Sequence, residues 1–135
     1  MDLIKNLLLN KLVMSSAVSS LVGHEIYPLH ISVVEDPEFP CLTMYDLASY
    51  HTVPDGNVNW SRIVFEAHSV DQASDCNEIM DAVKGALHHH HFDDDNFRLD
   101  LFEDSDDGIR SVKEEGGEIR HSQKVIYKVH SQKRT

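Results

Sequence analysis

Apolar positions recur first at helical spacing, then at every second residue, then at helical spacing again, and finally alternate towards the C-terminus. Leu3, Ile4, Leu7, Leu8 and Leu12 repeat with the helical period, interrupted by Lys5, Asn6, Asn10 and Lys11, with Asp2 placed to cap. Ser15 or Ser16 can cap a second short helix, Ala17 to Val22, closed by Gly23 in the left-handed conformation favoured after a helix. Pro28, Pro37 and the acidic pair Glu35-Asp36 predict an extended loop over Tyr27 to Phe39, with Tyr27 anchoring it onto a sheet.

Cys41 to Tyr50 reads as a strand, with Leu42, Met44 and Ala48 on one face and Thr43, Tyr45 and Leu47 on the other. Pro54-Asp55-Gly56-Asn57 predicts the turn of a hairpin. In its second strand, Trp60 to Ser69, Ile63, Phe65 and Ala67 oppose Arg62, Glu66 and His68. An amphipathic helix follows, with Ala73, Cys76, Ile79, Met80, Val83 and Leu87 as its apolar stripe. Ser69 and Gln72 have capping-box spacing, and Asp71 is an alternative cap. A strand over Asn96 to Glu103, a turn at Ser105 to Gly108, a strand over Ile109 to Lys113, a turn at Glu114 to Gly117 and a last strand, Ile119 to His130, complete the chain. The class is α+β: a mainly antiparallel sheet of four to five strands, with N-terminal helices and one long central helix on one face. At 135 residues the chain makes a single domain, 1–135, with helices over 2–22, sheet and helix over 41–130 and a basic tail at 131–135.

Charge changes this picture locally. The chain holds 23 acidic and 12 Lys or Arg residues, and Phe92 to Glu118 alone holds eleven acidic against three basic ones. Ile119 to Thr135 holds five basic residues and no acidic ones, which reads as solvated charge along an edge strand. Net acidity argues against a broad phosphate-binding surface, which needs clustered Lys and Arg. The N-terminal apolar run is too short and too charged to span a membrane or serve as a signal peptide, so a soluble, cytoplasmically made protein is expected.

Candidate chemistry is sparse. His88, His89, His90 and His91, followed by Asp93, Asp94 and Asp95, carry metal-ligating groups, but a specific site needs ligands converging from a rigid scaffold. Consecutive residues at a helix end fan outward, and a solvated turn is expected. Cys41 and Cys76 lack metal or redox spacing and read as reduced, buried thiols. No nucleophile elbow, phosphate loop or paired zinc spacing is present, so no catalytic residue is expected. Phe65, Phe97 and Tyr127 read as core, whereas Trp60, beside the hairpin turn, suits either core or subunit contact.

The order of these elements carries a family likeness. Leu21-Val22-Gly23 with Ile26-Tyr27-Pro28, Phe39-Pro40 leading a strand, and the passage from Arg62 to Leu87 with its Asp71-Gln72-Ala73 helix start occur in succession. They are followed by Gly117-Glu118-Ile119-Arg120 through Tyr127-Lys128-Val129-His130. Nearly the whole chain so resembles the tail-completion family of long-tailed bacteriophages. The histidine run and the acidic segment depart from that family's usual short link between helix and strand. The resemblance implies a non-enzymatic virion protein without cofactors, located at the tail or neck. Such a protein forms a ring, typically sixfold, that caps the tail tube, ends its growth and joins the head connector. Implied partners are further copies, the tail-tube protein and connector proteins, with DNA passing the lumen unbound and no membrane. Expected contact residues are Tyr50, Asp55, Asn57 and Trp60 at the hairpin, and Asp93, Asp94, Asp95, Asp104, Asp106 and Asp107 in the acidic segment. Alternatives are another neck component, such as a head-completion or connector-adaptor protein, and a metal-binding protein using His88 to His91.

Overall fold

The computed structural model describes residues 2–51, 58–87, 91–93, 97–114 and 116–133, with backbone alone at 2–3, 48–51, 58–59, 91–93, 97 and 133. Helix α1 (Asp2–Val13) buries Ile4, Leu8 and Leu12, the residues that share its apolar stripe. Helix α2 (Ser16–Val22) is capped by Ser15, whose hydroxyl accepts the Val18 N–H at 3.3 Å. It ends at Gly23, where φ +61° and ψ −127° place the backbone in a region that L side chains avoid.

Strand β1 (Ile26–Tyr27) runs into the stretch expected to be loop, and a 3₁₀ turn (Ile31–Val33) lies within it. Strands β2 (Cys41–His51) and β3 (Val58–Ser69) form the predicted hairpin, whose turn, with Asp55 and Asn57, lies outside the described residues. Helix α3 (Ala73–Ala86) follows, then β4 (His91–Asp93), β5 (Phe97–Lys113) and β6 (Ile119–Lys133). The sheet order is β1-β2-β3-β6-β5-β4, with β1 parallel to β2 and the remaining pairs antiparallel. The class is the expected α+β; the strand number rises to six because two short strands, β1 and β4, line the outer positions.

The core lies between the three helices and one face of the sheet. Leu42 and Met44, Ile63, Phe65 and Ala67, Val125, Tyr127 and Val129, and Leu99 and Leu101 face Cys76, Ile79, Met80, Val83 and Leu87 of α3. The Phe65 and Tyr127 rings meet edge to face at 5.6 Å. Each fully buried large apolar side chain contributes about 1.5–3 kcal/mol through removal from water.

Four expectations change. The turn at Ser105 to Gly108 is a pair of bulges within one continuous strand, where the β5–β6 register shifts between Glu103 and Ser105 and again between Asp106 and Ile109. Gly108, at φ +72°, supplies the left-handed residue, and Asp106 accepts its N–H at 2.9 Å, so turn chemistry here kinks a strand instead of reversing it. Strand β6 is interior, between β3 and β5, and runs past His130 to Lys133, so its cations are not edge charges. A bulge at Leu47 places Ala48 opposite Arg62, away from the face shared by Leu42 and Met44. No capping box forms at α3, because Gln72 is the N-cap and its side chain makes no capping bond. Instead the Ser69 hydroxyl donates to the Asp75 carboxylate at 2.8 Å and accepts the Asp71 N–H at 3.2 Å.

Candidate interaction surface

The sheet face opposite the helices divides into a covered half and an open half. Over the covered half passes the segment between β1 and β2. Tyr27 bonds the Glu25 carboxylate and accepts the Glu38 N–H, which is the anchoring expected of it. His30 packs on Tyr45 at 4.9 Å, and Ile31 is buried. Beneath lie Cys41, Thr43, Val64 and His68, all buried.

This covered cluster is polar yet closed. The Thr43 hydroxyl lies 3.3 Å from the Glu66 carbonyl and 3.0 Å from His68 Nε2. A hydroxyl has one proton, so donating it to the carbonyl leaves Thr43 to accept from a protonated Nε2. His68 Nδ1 then faces no partner. Burial, and then the nearby Arg120 and His30, push His68 down to about 3, so it is neutral near pH 7. Its 3.5 Å approach to Glu66 is therefore a polar contact and not an ion pair. Burial raises Glu66 above the usual carboxylate range, against the opposing pull of Lys124. Both cysteines are free and buried, as expected. Burial, with Glu25, pushes Cys41 up to about 12; burial, with Asp75, pushes Cys76 up to about 11. Thiols so protonated are poor nucleophiles, and the cluster's groups are engaged with one another.

The open half carries an aromatic and charged patch. Trp60, half-buried, stacks on His130 at 4.7 Å and approaches Phe102 at 6.3 Å, with Lys128 Nζ 5.4 Å from its ring centroid. The register sets these residues side by side, pairing Trp60 with His130 and Lys128 with Phe102. Arg62 lies 3.6 Å from Asp104, and His130 lies 3.7 Å from Asp100. These pairs are partly exposed and contribute little to the fold. Strand alternation also puts Arg120, Lys124 and Lys128 on this one face.

The acidic segment separates into two roles. Asp106 points to the helix side, accepting from Lys84 Nζ at 2.8 Å and from Gln123 Nε2 at 3.1 and 3.2 Å. Burial would raise its carboxyl, but the bonds from Lys84, Gly108 and Gln123 outweigh that and hold it below the usual range. Asp106 thus fastens the bulged strand to α3. Asp106→Ala is expected to lower stability by about 1–2 kcal/mol, the worth of a partly solvated charged hydrogen-bond set. Urea unfolding checks this; a change within about 0.3 kcal/mol would mean that backbone pairing alone holds the bulge. Asp104 faces Arg62 on the open side, and Asp107 is exposed.

Of the other expected contact residues, Tyr50 pairs with Trp60 through the backbone. His88, His89, His90, Asp94 and Asp95 lie outside the described residues, and His91 and Asp93 are described as backbone of β4. Among the described residues no three His, Cys, Asp or Glu side chains converge on one point, and no helix is long and apolar enough to cross a membrane. Phe102, Lys128 and His130 were not singled out by sequence reading as partners of Trp60. The usable signal was the spacing Arg120, Lys124, Lys128, which on a strand puts these three cations on one face.

No family model and no curated protein matches this sequence. Among solved structures, the chain is similar to one from "Virion of native gene transfer agent (GTA) particle". The TM-score is 0.65 at 14% identity, over 96% of this chain and 94% of that one. The likeness therefore extends over the fold from end to end.

Proposed function

We propose that this chain is a structural protein of a phage-like virion, acting at tail completion. In this reading it caps the tail tube as a ring, stops tail growth and offers a joint to the head connector. The observation that carries the proposal is the end-to-end fold likeness to a chain of a gene transfer agent virion, at 96% and 94% coverage. The order of sequence elements and an outward-facing patch built on a rigid sheet support it. Another component of the head-to-tail joint is the second reading, because the similar chain comes from a whole particle.

Under the proposal the ring turns acidic side chains to the lumen, where like charge lets DNA pass without sticking. Exposed Asp107 serves this role; Asp104 faces Arg62 and Asp106 is engaged with Lys84 and Gln123, so neither offers a free charge there. The test is electron microscopy of particles made with the gene disabled, beside the intact control. Overlong tails, or tails detached from filled heads, are expected. Tails of normal length lacking another neck part would favour the second reading, and normal infectious particles would refute both.

A further inference from the structure

Both outer positions of the sheet are only partly covered. Among the described residues, β4 pairs with Arg98 to Asp100 of β5, and nothing pairs with that strand's outer edge from Leu101 to Lys113. On the other side, β1 pairs with Leu42 and Thr43 of β2, and among the described residues nothing pairs with the outer edge of β2 from Met44 onwards. An uncovered edge is a row of unmatched N–H and C=O groups that will accept another strand, and proteins normally blunt it with bulges and charge. On β5 the bulges and acidic charge are gathered at Glu103 through Gly108, where two bulges and four acidic side chains lie. From Ile109 to Lys113 the register with β6 is unbroken, and Ile109 and Val112 are 37% and 42% exposed.

The two edges complement each other. Ile109 to Lys113 carries Arg110 and Lys113 and no acid, whereas Met44 to Leu47 carries Asp46 and no base. Lys113 and Asp46 both occupy helix-side register positions, opposite Ile119 and Ile63. With the strands antiparallel and Lys113 opposite Asp46, Val112 meets the bulged Leu47, which is 52% exposed. We propose that the Ile109–Lys113 edge of one copy pairs with the Met44–Leu47 edge of a second copy, continuing the sheet across the junction. The two edges belong to opposite ends of one sheet, so the contact is head-to-tail and repeats until rotation closes a ring. The inference deepens the assembly reading and takes its occupant, another copy, from it.

The experiment uses full-length chain carrying Leu47→Cys or Val112→Cys, mixed under mild oxidation; the buried native thiols do not compete. Mixed disulfide is expected at about five times the yield of a Leu47→Cys with Val13→Cys control, because bridging needs Cβ atoms about 4 Å apart. Val112→Cys pairing chiefly with itself would mean β5-to-β5 dimers and would overturn the proposal. Sedimentation from about 10 μM to about 1 mM should show mass above monomer, and Asp46→Lys should weaken association about tenfold. Adding Lys113→Asp to Asp46→Lys should restore it. Monomer at every concentration, or no rescue, overturns the edge pairing. Normal tails from the disabled gene would instead refute tail completion and leave the disulfide result standing.

Discussion

Lowering the pH from about 7.5 to about 4.5 is expected to remove about 2–3 kcal/mol of stability through His68 alone. The folded state holds this imidazole at about 3 against an unfolded value of 6.5. The unfolded chain therefore binds the extra proton throughout that interval, and unfolding free energy rises with pH across it. The contribution is fully present above about pH 6.5 and is lost progressively on acidification. Burial is the first cause: His68 is 1% exposed, its Nδ1 has no partner, and Arg120 and His30 oppose a further positive charge. Glu66 works in the other direction, because its raised carboxyl is protonated more readily when folded, and that contribution is lost as pH rises. The two are separated by comparison with His68→Gln, whose amide can still donate to Thr43 but does not titrate. Urea midpoints for both proteins across this range should converge at low pH, with the wild type losing more. Parallel curves would mean that protonated His68 finds a partner or water beneath the covering segment.

His68 also marks a limit of sequence reading. Its alternation with Arg62 and Glu66 correctly puts it on the face away from the core, and that face would ordinarily be wet. It is dry because the segment between β1 and β2 lies over it, a long-range contact without local periodic signature. Elements whose pattern is local were legible: the Cys76 to Leu87 stripe, the Ile63, Phe65, Ala67 face and the Ser15 cap all stand where spacing predicts. What failed were features with two physical solutions for one residue string. Asp106, Asp107 and Gly108 can reverse a chain or bulge a strand, and Lys84 and Gln123, distant in sequence, select the bulge by bonding Asp106. Strand order is likewise not local, so the interior position of β6 and the assembly of Lys128, His130 and Phe102 around Trp60 could not be read from alternation.

That assembly carries the last prediction. Trp60→Ala is expected to leave the fold intact while weakening assembly by about 2–4 kcal/mol, the range of a central aromatic anchor. The fold should tolerate it because Trp60 lies on the open face, half-buried, touching His130, Phe102 and Lys128 without entering the helix-side core. Loss of one such ring contact costs about 0.5–1.5 kcal/mol. Phe65→Ala gives the contrast: Phe65 is fully buried against Tyr127, and its removal should cost about 3–5 kcal/mol in unfolding experiments. An aromatic ring held at a fixed angle by its neighbours, with a cation above it, loses little side-chain entropy on docking, which makes it effective in a contact. Lys128→Gln should weaken assembly less, because the ring keeps its stack on His130. The measurement is the fraction of joined particles formed by each variant, alongside its urea midpoint. Fully joined particles from Trp60→Ala would show that partners dock elsewhere, leaving the sheet edges as the surface to pursue.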